Sequence, residues 1–156
     1  MPDIFISYSQ QDASFAEFLH RHLANEDVNV FMASVSLKPG QKWSEEIIEQ
    51  VKQSSLVLFL ASKAACASAY VQQELGIALA TNKEIVPVVW DIDPSKLPGW
   101  MSRLQALDIQ GASPDQIREQ MSAIANKIKS KKTSEWLLVA GLLAAGLVIY
   151  TATRNK

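Results

Sequence analysis

The sequence is poor in the residues that carry most side-chain chemistry. Its single cysteine, Cys66, has no partner for an internal disulfide. Its two histidines, His20 and His22, lie two apart in a helical pattern and diverge, so no zinc-type ligand set exists and no metal is expected. Lys and Arg number 15 against 16 Asp and Glu, which leaves no basic excess to neutralise a nucleic-acid backbone, so nucleic acid is not an expected partner. Glycine is scarce at 6 residues, and none builds a GxGxxG turn, a Walker phosphate loop or a GxSxG nucleophile elbow. Nucleotide-cradling and esterase chemistry of the standard kinds is thereby excluded. A length of 156 residues suits one folded domain, and hydrophobic residues at 48% exclude disorder for the bulk of the chain.

The apolar residues are unevenly spread. Residues 136–153, WLLVAGLLAAGLVIYTAT, carry no charge, and as a helix they extend roughly 27 Å, near the ~30 Å hydrocarbon thickness of a bilayer. Trp136 and Tyr150 stand near the two ends, where amphipathic rings favour a membrane interface. Ala140 with Ala144, and Gly141 with Ala145, place small residues at a spacing that permits close helix approach. Lys127, Lys129, Lys131 and Lys132 precede the run, as either a solvated helix end or a juxtamembrane basic patch, and Arg154 and Lys156 follow it. The opening MPDIFISYSQQD lacks a basic region followed by an apolar one. The expectation is a single-pass membrane helix at 136–153, reached through a short linker at 133–135 and followed by a tail at 154–156, with residues 1–132 folded on the cytoplasmic side. The competing reading of the run is a buried or oligomerising helix.

Residues 1–132 alternate short apolar runs with helical patterns. Strands are expected at 3–8, 29–32, 56–60 and 85–90, with a weaker one at 107–109. LVLFL at 56–60 is apolar on both sides, as a central parallel strand covered by helices must be. Helical spacing joins Phe15, Phe18, Leu19, His22 and Leu23; Trp43, Ile47, Ile48 and Val51; Tyr70, Glu74, Ile77 and Ala78; and Ile117, Met121, Ile124 and Ile128. This order predicts an α/β fold: a flavodoxin-like, doubly wound, five-stranded parallel sheet, with ligands bound beyond the carboxyl ends of the strands.

DIFISY at 3–8, LKPG at 37–40 with Trp43, SSLVLFLAS at 54–62, YVQQEL at 70–75 and LDI at 107–109, taken in order, resemble a Toll/interleukin-receptor/resistance (TIR) domain. DIFISY at 3–8 is similar to that family's opening strand. LKPG at 37–40 followed by Trp43 resembles its BB loop, and SSLVLFLAS at 54–62 its third strand. YVQQEL at 70–75 falls on its aromatic-x-x-x-Glu-Leu segment, and Leu97-Pro98 with LDI at 107–109 resembles its close. The resemblance runs from Asp3 to about Lys132.

Some members of the family cleave NAD at its nicotinamide bond, and others are adaptors that act only through TIR–TIR contacts; the alternative for this chain is a non-catalytic adaptor or scaffold acting through such contacts at a membrane. Similarity to the enzymatic members implies an NAD glycohydrolase or cyclase, activated by self-association and serving defence or signal transduction. It implies that NAD is the substrate and no cofactor is needed. Glu74 would be the catalytic carboxylate, because departure of neutral nicotinamide leaves an oxocarbenium-like ribose that a nearby negative charge stabilises. Ser7, Ser9, Trp43 and Tyr70 would line the substrate pocket, and Lys38, Pro39 and Gly40 would form the assembly loop. Two departures stand out: Ala33, Ser34, Val35 and Ser36 replace acidic residues before the Pro-Gly turn, and Tyr70 replaces the tryptophan common in enzymatic members. Cys66, set among alanines with no histidine nearby in sequence, reads as a small apolar filler.

Overall fold

The computed structural model describes residues 1–32 and 45–154, with side chains through residue 135. Five strands, β1 (Ile4–Ser7), β2 (Val30–Met32), β3 (Leu56–Leu60), β4 (Glu84–Val89) and β5 (Leu107–Asp108), form one parallel sheet in the order β2-β1-β3-β4-β5. The helices are α1 (Ala13–Asn25), α2 (Glu45–Gln53), α3 (Lys63–Cys66), α4 (Ala69–Ala80) and α5 (Pro114–Arg154). The expected flavodoxin-like order is therefore present, and its reversal point lies between β1 and β3, where adjacent crossovers leave toward opposite faces.

Alternation along the central strands divides the core in two. Ile4 and Ile6 of β1, with Leu56, Leu58 and Leu60 of β3, face a layer completed by Leu19 and Leu23 of α1 and Met121, Ala125 and Ile128 of α5. Phe5, Val57 and Phe59 face the other layer, against Ile47 and Val51 of α2 and Val71, Leu75 and Ala78 of α4. All five residues of β3 are buried, which is why its sequence shows no polar alternation. Pro87 is tolerated inside β4 because β5 pairs only with Val88 and Val89, so no ladder bond is needed there from the residue that lacks an N–H.

The small-residue stretch after β3 contains the short helix α3, which no helical pattern in the sequence marks. Ser62 caps it by accepting from Ala65 N at 3.0 Å, while Asp91 accepts from Lys63 N at 3.1 Å. Four residues are too few to show a helical period, so only the cap marks it. Residues 133–135, expected as a linker, are helical, and α5 continues unbroken to Arg154. Among the described residues no helix is long and apolar enough to cross a membrane. The expected span at 136–153 falls where side chains lie outside the described residues.

Candidate functional site

The carboxyl end of the sheet gathers side chains from the turns after β1, β3 and β4. Ser7 closes β1 and shares parity with Phe5, so it points toward α4 rather than toward α1. On α4, Val71, Glu74, Leu75 and Ala78 form the buried stripe at helical spacing, which places a carboxyl group in the middle of an otherwise apolar face. Glu74 is only 1% exposed and Ser7 is fully buried. The Ser7 hydroxyl donates a short hydrogen bond to Glu74 Oε2. The Tyr70 hydroxyl, one turn back on α4, interacts with the same carboxyl. A glutamate on a helix ordinarily faces water, and the burial of Glu74 excludes that here.

Burial dominates the electrostatics. Loss of water pushes the Glu74 carboxyl up from an ordinary 4.5 to about 8, and the hydrogen bonds from Ser7 and Tyr70 offset only part of that rise. Burial, then the neighbouring Glu74 charge, raises the Tyr70 phenol, and the same two causes in the same order raise Tyr8. A carboxyl pushed up to about 8 is mostly protonated at pH 7. It lies beside two phenols and a hydroxyl, and none of these supplies a positive charge. A cationic group entering the site stabilises the ionised form and draws the pKa down, so the arrangement holds a latent negative charge released by a positive ligand.

A second polar ring lies on the same end. Ser62 Oγ donates to Asp12 Oδ2, and Asp91 holds the start of α3. Burial raises the Asp12 pKa, the Ser62 hydrogen bond lowers it, and the nearby Asp91 charge raises it again. This ring joins the turn after β1 to α3, and through α3 to the start of α4 that carries Tyr70. Sequence reasoning missed Asp12, Ser62, Asp91 and Tyr8 as part of the site. Asp12 and Ser62 stand 50 positions apart, and no local pattern signals their meeting.

Of the expected pocket residues, Ser7, Tyr70 and Glu74 come together. Ser9 does not join them by hydrogen bond, since its hydroxyl oxygen caps the 3-10 turn at Gln10–Asp12 by accepting from Gln11 N at 3.3 Å. Trp43 and the loop residues Lys38, Pro39 and Gly40 lie outside the described residues, as do Ala33 to Ser36. Cys66 is half-buried, and burial pushes its thiol up, away from the thiolate needed of a nucleophile. Among the described residues no group of His, Cys, Asp and Glu is placed to hold a metal ion.

Comparison with known proteins fits this geometry. The family model described as TIR domain matches residues 4–124. A protein of Brachypodium distachyon named probable 2' cyclic ADP-D-ribose synthase BdTIR is 28% identical over 97 residues, 61% of this chain and 43% of its own length. This chain thus spans less than half of that relative. Among solved structures, the TIR domains of the activated Roq1 resistosome, which directly recognises the pathogen effector XopQ, superimpose with a TM-score of 0.64 at 19% identity. That match covers 78% of this chain and 97% of the other. A TIR-STING receptor from C. gigas in complex with 2',3'-cGAMP gives 0.61 at 21% identity, covering 78% of this chain and 40% of the receptor. The TIR domain of the Toll-related receptor TRR-2 from Hydra magnipapillata gives 0.58 at 19% identity, covering 69% and 84%. At these identities the solved structures share the fold.

Proposed function

The chain belongs to the TIR domain family, and on that premise we propose that it cleaves NAD at the nicotinamide glycosidic bond, yielding nicotinamide and ADP-ribose or a cyclic ADP-ribose. The observation that carries this reading is the Glu74 carboxyl, enclosed with Ser7 and Tyr70 at the carboxyl end of the sheet. The printed name of the Brachypodium relative supports it.

NAD brings to this site a nicotinamide ring that carries one positive charge, and that charge favours the ionised Glu74. As the C–N bond breaks, its electron pair leaves with nicotinamide and the positive charge moves onto the ribose, where the carboxylate stabilises it. Nicotinamide departs neutral, so no second acid is required. Water then attacks the ribose carbon to give ADP-ribose, or a nucleophile elsewhere in the ADP-ribose moiety closes a ring. Exclusion of water selects between them.

The alternative, a non-catalytic adaptor acting through TIR contacts, draws support from the same carboxyl. A neutral, enclosed Glu74 describes a resting form that needs a partner or substrate to open. Both readings include self-association through the loop at Lys38, Pro39 and Gly40, with assembly completing the site. The uncharged run at 136–153 anchors the chain as a single-pass helix with the TIR domain in the cytoplasm, where NAD is available. Concentrated full-length protein on vesicles, incubated with NAD and followed by chromatography, tests the proposal. Release of nicotinamide supports the enzyme, and intact NAD under clustering conditions supports the adaptor.

A further inference from the structure

Helices of this fold run antiparallel to the strands, so α5 begins at the carboxyl end of the sheet and descends to its amino end. Three lysines on its descending half meet acidic residues there. Lys127 pairs with Glu84, the first residue of β4; Lys129 pairs with Glu26, just beyond α1, at 3.7 Å; and Lys132 pairs with Asp3, just before β1. Asp3 is itself fixed, since its Oδ2 accepts from Asn29 N at 3.0 Å. Ser122, nearer the start of α5, bonds His22 and Glu26 of the same corner at 2.9 Å each. The helix is thus fastened to the domain between Ser122 and Lys132, where the last ion pair among the described residues lies, and its backbone continues without a break toward Trp136.

From this we infer that the amino-end edge of the sheet is a membrane-facing surface, held against the bilayer headgroups by α5 acting as a rigid strut, with the Glu74 site facing away. The inference rests on the membrane reading of residues 136–153. Trp136 lies four positions beyond Lys132, roughly 6 Å of helix, which is about the depth of one headgroup layer. The paired lysines and the exposed Ser55 at the start of β3 then lie at the lipid surface. The start of α5, eighteen residues before Lys132, stands about 27 Å further out, level with the carboxyl end that carries Glu74. The bilayer therefore covers neither the site nor the loops around it, and anchored copies remain free to meet side by side.

The test uses the full chain with Cys66→Ala and a single spin label at Ser55→Cys or at Gln10→Cys, two exposed positions on opposite edges. Each is reconstituted in phosphatidylcholine–phosphatidylserine vesicles containing a gadolinium-chelate lipid. The expected result is several-fold stronger relaxation of the Ser55 label than of the Gln10 label. Replacing Lys127, Lys129 and Lys132 together by Gln should shrink that difference. Equal or reversed relaxation in vesicle-bound protein overturns the orientation and leaves the anchor standing, and an undiminished difference in the triple variant overturns the role of the ion pairs. Protein that stays in the supernatant overturns the anchor and the orientation together.

Discussion

The two ends of the parallel sheet treat acidic side chains in opposite ways. At the amino end, Asp3, Glu26 and Glu84 each face a lysine of α5, and their charges are neutralised in place. At the carboxyl end, Glu74 is enclosed with a hydroxyl and a phenol and meets no cation among the described residues, and burial raises its pKa. Paired charge fastens a helix. Charge that is buried without a cation costs stability in the free protein, and that cost is offset when a positive ligand arrives. The contrast separates the part of the molecule that holds itself together from the part that acts on something else.

The largest break in this contrast is Glu74→Gln. It should abolish nicotinamide release, since the amide cannot carry the charge that stabilises the ribose cation. The same variant should change stability in a pH-dependent way. A carboxyl held near 8 when folded and near 4.5 when unfolded binds its proton more tightly in the folded state, so its ionisation penalises folding progressively from about pH 4.5 up to about pH 8. Glu74→Gln should therefore match the wild type below pH 4.5 and exceed it above pH 8, by on the order of a few kcal/mol in denaturant titrations. A variant destabilised at every pH would show that Glu74 serves packing and the Ser7 contact instead.

At the opposite end, a charge in the middle of the apolar run costs about 2.5–3.5 kcal/mol on insertion scales, so Leu143→Arg should move much of the protein from the membrane fraction to the soluble one. Fractionation that leaves it in the membrane would contradict the anchor. A smaller effect is expected from Pro39→His, because proline fixes its own φ and pre-sets the loop for assembly. Self-association in cross-linking should fall with activity in parallel, and loss of activity with assembly intact would confine the loop to the pocket. The smallest effect is expected from Ser7→Ala. The Ser7 hydrogen bond lowers the Glu74 pKa, so its removal should shift the rising limb of kcat/KM toward higher pH without abolishing turnover. An unshifted limb would mean that another group sets it.

How much of this was legible in the sequence differs between the two ends for a physical reason. The strands could be read because burial on both faces forces unbroken apolar runs such as LVLFL, and the doubly wound α/β class followed from the alternation of elements. The burial of Glu74 could not be read from α4 alone, because a glutamate on a helix ordinarily faces water. Its enclosure depends on the parity of Ser7 in β1, 67 positions away. The role of Glu74 and of Tyr70 was instead suggested by family resemblance. The lysines of α5 were legible as a basic cluster beside an apolar run, but their partners Asp3, Glu26 and Glu84 come from three separate parts of the chain. The short helix α3 and the Asp12–Ser62 contact stayed hidden because a single turn has no period and a contact across 50 positions has no local signature.

The proposed chemistry requires a Glu74 carboxyl that is mostly protonated in the free protein and charged beside a bound cation. The most direct measurement is a carbon NMR titration of carboxyl-labelled Glu74, assigned by its loss in Glu74→Gln and followed with and without NAD under conditions too brief for turnover. The expected midpoint is near pH 8 in the free protein, displaced to lower pH when NAD is bound. A free-protein midpoint in the ordinary carboxylate range, or one that NAD leaves unmoved, would contradict it.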